Sequence, residues 1–145
     1  MFKRILLPTD GSELAQRAVL AGIGFAKELG AEVIGMTVVP KFHTFTYKAE
    51  MVEETQQEYA LHSAQRADQY LAAIGEAASR AGVPCSTEKA VSDDPYQMII
   101  STAHDRHCDL IVMGSHGRRG VKGVLLGSET QKVLVHSSVP VLVYR

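Results

Sequence analysis

The sequence predicts an α/β fold: a single-domain open doubly wound sheet of five mainly parallel strands, ordered 3-2-1-4-5, with helices on both faces. Short apolar runs alternate with helical periods along the chain, which implies right-handed βαβ crossovers and a parallel sheet. The runs Ile5-Leu6-Leu7 and Leu110-Ile111-Val112-Met113 contain no polar residue, as strands buried on both faces require. Each gives way at once to turn residues and a helix start. At 145 residues the length suits one domain, and neither a repeat nor a low-complexity linker divides it, so residues 1–145 are read as one unit.

Residues 5–7 form the first strand, stopped by Pro8-Thr9-Asp10-Gly11. Ser12 and Glu13 then supply an N-cap and a first-turn acid, and Gly30 is the helix stop. Within that helix Leu14, Ala18, Ala21, Phe25 and Leu29 recur at three- and four-residue intervals and are expected to face the sheet. Residues 33–39, rich in β-branched side chains and ended by Pro40, form the second strand. Residues 41–54 mix Phe42, His43, Phe45, Tyr47 and Met51 with charges and show no clean period, as a surface loop or a cover over a site would. The helical period returns over 55–81, with Ala60, Ala64, Ala67, Leu71, Ile74, Ala78 and Ala81 on one stripe and Gly82 as its stop. Residues 85–91 alternate weakly, like an edge strand. Asp94 before Pro95 reads as N-cap and first helical residue of a helix running through Met98, Ile99, Thr102 and Ala103 to about Arg106. The last helix is expected over 130–136 and the last strand over 141–144.

Between the fourth strand and the last helix lie Gly114, Gly117, Gly120, Gly123 and Gly127, which permit positive φ and let bare backbone N–H groups approach an anion. Arg118, Arg119 and Lys122 add positive charge. His116 could donate to a phosphate oxygen or face water. Ser128, three residues before Gln131, has capping-box spacing, and the helix start behind it would offer free N–H groups at the positive end of a dipole. Glycines also end strands, and such a cap can be satisfied within the protein. Neither Gly-x-x-x-x-Gly-Lys-Ser/Thr nor Gly-x-Gly-x-x-Gly opens the helix. In the expected strand order the chain reverses between strands one and four, so Asp10 and Gly114 end neighbouring strands at the topological switch point, where open sheets bind ligands. Asp10 alternatively forms an Asx-type turn with the backbone beside it.

A formal net charge of −1 gives no global field for nucleic acid or anionic lipid. Cys85 and Cys108, without C-x-x-C spacing, are expected to be reduced thiols of a cytoplasmic protein, and the start of the chain has neither a signal-peptide core nor a membrane span. His104, His107 and Cys108 have metal-ligand spacing but fall where a helix should end and lack an evident fourth ligand, so no metal site is expected. No serine sits in Gly-x-Ser-x-Gly and no general base is evident, which disfavours nucleophilic hydrolysis. A phosphoacceptor receiver would need a pair of acids after the first strand, where only Asp10 stands.

Three segments carry a resemblance: Ile5-Leu6-Leu7-Pro8-Thr9-Asp10-Gly11-Ser12; Gly114, two residues, Gly117, nine residues, Gly127-Ser128; and Val139-Pro140-Val141-Leu142-Val143. Together they resemble the universal stress protein family over essentially the whole chain, and the glycine spacing is similar to that family's nucleotide-binding signature. The resemblance implies ATP, with or without magnesium, as ligand. It puts Pro8, Thr9 and Asp10 near the nucleoside and Val38 or Val39 near adenine. Met113, Gly114, Gly117, Gly127, Ser128 and Thr130 would run along the sugar and phosphates, with Ser115, His116, Arg118 and Glu129 in the same loop. One position departs from the family pattern: Glu129 stands where nucleotide-binding members usually have a small apolar residue. A carboxylate there suits the helix dipole but opposes a phosphate. The implied role is a dimeric, nucleotide-dependent stress-response or regulatory module. The alternatives are an ATP-hydrolysing or adenylating enzyme and a nucleotide-free interaction module. The apolar segment 139–144 would leave a flat sheet edge open, so a homodimer through that edge is expected, as the resemblance also implies.

Overall fold

The computed structural model describes residues 1–42, 55–117 and 126–145. The expected loop or cover at 43–54 and the cations Arg118, Arg119 and Lys122 therefore lie outside the described residues. In chain order the elements are β1 (Arg4–Pro8), α1 (Glu13–Leu29), β2 (Glu32–Val39), α2 (Gln56–Ala81), β3 (Cys85–Val91), α3 (Pro95–Asp105), β4 (Leu110–Gly114), α4 (Ser128–His136) and β5 (Val141–Tyr144). The sheet runs β3-β2-β1-β4-β5, and all its pairings are parallel. This is the order expected from the sequence.

Because β1 is central, alternate residues serve two cores. Ile5 and Leu7 pack with Val19 and Ile23 of α1 and Leu71 and Ile74 of α2. Leu6 points the other way, into a cluster with Ile99 of α3 and Val133 of α4. An apolar run without alternation is the sequence trace of this two-sided burial.

The buried stripe of α1 is not the expected one. Ala15, Ala18, Val19, Gly22, Ile23 and Ala26 face the core, and of the expected Leu14, Ala18, Ala21, Phe25 and Leu29 only Ala18 is buried. Small residues decide it: Ala18, Gly22 and Ala26 recur every fourth position and let the helix lie close on the sheet, where a side chain at Gly22 would strike Leu7. The larger residues flank the contact. In α2, Ala67, Leu71, Ile74 and Ala78 are buried as expected, but Ala60 is exposed. Length explains this, since the 26 residues of α2 reach about 39 Å whereas the eight of β2 reach about 26 Å. The first turns of α2 overhang the carboxyl end of the sheet. They are held by a Thr55–Glu58 capping box and by Tyr59 Oη donating to the Pro40 carbonyl at 3.0 Å.

The two sheet edges differ. At β3, Lys89 pairs with Asp68 at 2.8 Å, and Arg106 bonds Glu88 at 2.7 Å and Ser86 Oγ at 2.8 Å. At β5, Val141 packs into the α3/α4 core, while Leu142, paired in register with Val112, remains 39% exposed. Arg17 of α1 lies over the Tyr144 ring at 5.9 Å.

Candidate functional site

At the carboxyl ends of β1 and β4 the chain departs to opposite faces of the sheet, and the two turns meet at the switch point, where open sheets of this order form their ligand crevice. The first turn is built locally. Thr9 N–H donates to the Met36 carbonyl at 2.8 Å, tying the end of β1 to β2, and Thr9 Oγ1 accepts from Gly11 N–H at 3.1 Å. Asp10 Oδ1 accepts from Ser12 N–H at 3.0 Å, and Ser12 Oγ caps α1 through Ala15 N–H at 3.2 Å. Asp10 thus makes the Asx-type turn, and its carboxylate also meets the turn after β4, since a side chain at Gly117 would land on Oδ2. Gly11, at φ 79°, carries the sharp bend, with Tyr70 of α2 closed over it.

The second turn leaves β4 and returns to the same place. Ser115 N–H donates to the Tyr144 carbonyl at 2.7 Å, fixing the loop to β5. Gly127 N–H donates to the Ser115 carbonyl at 2.6 Å, so the described ends of the loop are tied together. Thr130 Oγ1 donates to the Gly114 carbonyl at 2.9 Å. Ser115 is 2% exposed, and its hydroxyl lies 3.2 Å from His116 Nδ1.

The capping box expected at Ser128 and Gln131 does not form. Gly127 is the N-cap of α4, its carbonyl accepting from Gln131 N–H at 3.0 Å, and Ser128 is already the first helical residue. A glycine cap has no side-chain oxygen, and the Gln131 amide turns back to the Leu126 carbonyl at 3.1 Å. Gly127 therefore offers the amides of the first turn no side-chain cap. Positive φ is not what selects glycine here either. Gly127 has φ −68°, and the positive-φ glycines among the described residues are Gly11, Gly30 and Gly82. Close passage selects it: a Cβ at Gly127 would stand 3.0 Å from His116 Cα and 3.4 Å from the Ser115 carbonyl, and one at Gly114 3.3 Å from Leu14 Cγ.

The other candidates take varied places. Pro8 is buried at the end of β1, and Met113 points into the α3/α4 core. Val38 and Val39 are half-buried at the end of β2, beside the bond from Ser92 N–H to the Val39 carbonyl at 2.9 Å. Arg118 lies outside the described residues. Glu129 directs its carboxylate to α3, accepting from Tyr96 N–H at 3.0 Å and pairing with Lys132 at 3.2 Å. Asp94, expected to cap α3, makes no side-chain cap bond. A cavity of about 460 Å³ adjoins the loop on the α1 side, lined by Glu13, Leu14, Arg17, Ser115, His116 and Arg145 but not by Asp10.

The universal stress protein family model matches residues 1–145. The chain belongs to the universal stress protein family. A universal stress protein of Methanocaldococcus jannaschii is 34% identical over all of this chain and 83% of its own length. A second universal stress protein of that organism has a solved structure, superposing with a TM-score of 0.81 at 32% identity over 99% of this chain and 95% of the other. A universal stress protein solved in complex with cAMP shares the fold at TM-score 0.70 and 21% identity, over 99% of this chain and 97% of the other.

Within this universal stress protein fold burial disfavours the thiolate form of both cysteines. Burial pushes the Cys108 thiol up to about 11, and burial likewise raises that of Cys85. His104 is exposed, His107 occupies a left-handed turn at φ 53° and Cys108 is buried, and no metal-holding group of side chains converges among the described residues. Sequence reasoning missed Tyr70 over Gly11 and the Glu129–Tyr96 bond, both of which join elements distant along the chain. No helix among the described residues is long and apolar enough to cross a membrane.

Proposed function

We propose that the protein binds an adenine nucleotide, ATP with or without magnesium, in the crevice between the β1 and β4 turns, and works as a dimeric, nucleotide-dependent regulatory or stress-response module. The observation that carries this is convergence. The Asp10 carboxylate lies against Gly117, and the glycine cap of α4 lies against Ser115 and His116, all at the ends of neighbouring strands. First-turn amides to which the N-cap glycine offers no side chain, at the positive end of a helix dipole, suit a phosphate. An ionised carboxylate accepts hydrogen bonds, as a ribose hydroxyl would require, and Val38 and Val39 offer apolar contact to a flat base. On this proposal Pro8, Thr9 and Asp10 serve the nucleoside. Gly114, Ser115, His116, Gly117, Gly127, Ser128 and Thr130 line the sugar and phosphates, with Arg118 in the same loop. Met113 supports them from the core. A relative of the same fold solved with cAMP is in keeping with an adenine ligand. The apolar β5 edge would pair with a second copy.

The Ser115 side chain is 2% exposed and its hydroxyl lies 3.2 Å from His116 Nδ1, a contact that suits holding a phosphate as well as activating a nucleophile, so turnover separates a switch from a hydrolase. Calorimetric titration with ATP and magnesium, together with identification of any small molecule released on denaturation, tests the proposal. No binding at millimolar ATP and no released nucleotide would leave the nucleotide-free interaction module as the better account. Repeated ATP turnover would favour an enzyme.

A further inference from the structure

Helix α3 begins without a cap of its own. Pro95 is its first residue, Asp94 at the N-cap has φ −115° and ψ 76° with no side-chain cap bond, and Asp94 N–H is itself given to Ser92 Oγ at 3.0 Å. The acceptor for the first turn comes from another helix, as Glu129 Oε2 takes Tyr96 N–H at 3.0 Å. Its other oxygen lies 3.2 Å from Lys132 Nζ, which sits 5.4 Å from the centre of the Tyr96 ring, and the same ring lies 5.6 Å from that of His136. Three residues of α4 thus enclose one residue of α3. The carboxylate stands at the amino ends of both helices, where both dipoles favour its charge.

We infer that Glu129 is a positioning residue of the nucleotide site: it fixes the first turn of α4 by capping α3, and its charge is directed away from a ligand's phosphate. The inference rests on the nucleotide-binding proposal above. Two consecutive residues anchor that turn on different sides, Glu129 to the start of α3 and Thr130 through Oγ1 to the Gly114 carbonyl at 2.9 Å. The amides offered to a phosphate take their direction from these two bonds. A ligand seated on them is thereby felt at the Tyr96 amide.

Amide exchange at Tyr96, with calorimetry using adenosine and ATP, tests this on the wild type, Glu129→Gln and Glu129→Val. Glutamine keeps an oxygen for Tyr96 N–H and loses the charge; valine loses both. Without nucleotide, Tyr96 exchange should accelerate on the order of tenfold in Glu129→Val, the effect of losing a charged acceptor. The ratio of ATP to adenosine affinity should stay within about threefold of wild type in Glu129→Gln and fall on the order of tenfold in Glu129→Val. ATP should slow Tyr96 exchange in the wild type. Unchanged Tyr96 exchange in Glu129→Val would overturn the inference whether or not nucleotide binds. So would a Glu129→Gln protein whose ATP preference rises more than about threefold, because the carboxylate would then face the phosphate. A wild type that binds no adenine nucleotide refutes the underlying proposal instead, and its own titration reveals this before any variant is compared.

Discussion

Gly127→Ala separates close passage from backbone freedom. At φ −68° and ψ 159° alanine fits the backbone, so torsional strain contributes nothing. The added methyl, however, would stand 3.0 Å from His116 Cα, 3.3 Å from His116 Cβ and 3.4 Å from the Ser115 carbonyl. Carbon pairs prefer about 3.5–4.0 Å, so both His116 contacts are tight and His116 Cα is backbone that cannot swing aside, whereas the carbonyl oxygen is at ordinary contact distance. Overpacking of this kind costs about 1–3 kcal/mol, and alanine in place of glycine as N-cap adds about 0.5–1 kcal/mol. Urea denaturation should show that loss, and calorimetry should show weaker ATP binding, because His116 and the start of α4 must shift apart. Gly30→Ala is the control. It sits at φ 65° with nothing within 4 Å, so it should cost about 1–2 kcal/mol through conformation alone and leave nucleotide affinity intact. An unchanged midpoint and unchanged affinity in Gly127→Ala would refute the close-passage argument. Equal loss of affinity in both variants would show that binding merely follows stability.

Asp10→Ala should weaken adenosine and ATP alike in calorimetry, and should loosen the start of α1 by about 0.5–1.5 kcal/mol through loss of the Ser12 N–H acceptor. Cys108 gives a pH signature: burial raises its thiol from 9.0 to about 11, so the unfolded chain ionises first. Its contribution should be complete below pH 9.0 and lost as pH rises to about 11, and denaturation curves of Cys108→Ala should be correspondingly flatter over that interval. Leu142→Lys, at a position already 39% exposed in one copy, should leave folding and ATP affinity intact and abolish the proposed dimer in sedimentation; a persistent dimer would point to another surface.

The strand order was legible because β1 and β4 lie inside the sheet and wear that position as unbroken apolar runs, and because Gly30 and Gly82 terminate their helices by local chemistry that any sequence window contains. Where the partner comes from elsewhere, local patterning misled. Asp94 has every property of a cap, yet Glu129 performs that work from α4. Ser128 has capping spacing, yet Gly127 already ends the loop. In α1 two apolar stripes lie about one residue apart, and the close approach of Gly22 to Leu7 decides which of them faces the sheet. Asp10 was legible in position, and its Asx turn and its place in the crevice prove compatible. That Glu129 turns away from the crevice depends on how two helices lie together, which spacing does not encode.

The unlike edges of the sheet limit what kind of assembly the chain can enter. Open-ended growth would require the edge of one copy to accept the opposite edge of the next, setting the apolar β5 against a β3 whose Glu88 and Lys89 are already engaged in ion pairs. Like joined to like about a two-fold axis uses β5 twice and presents charged β3 edges at both outer ends. Such an assembly is finite, because the act of pairing consumes the surface that could recruit a third copy. If the chain pairs as proposed, raising its concentration would fill pairs without lengthening anything.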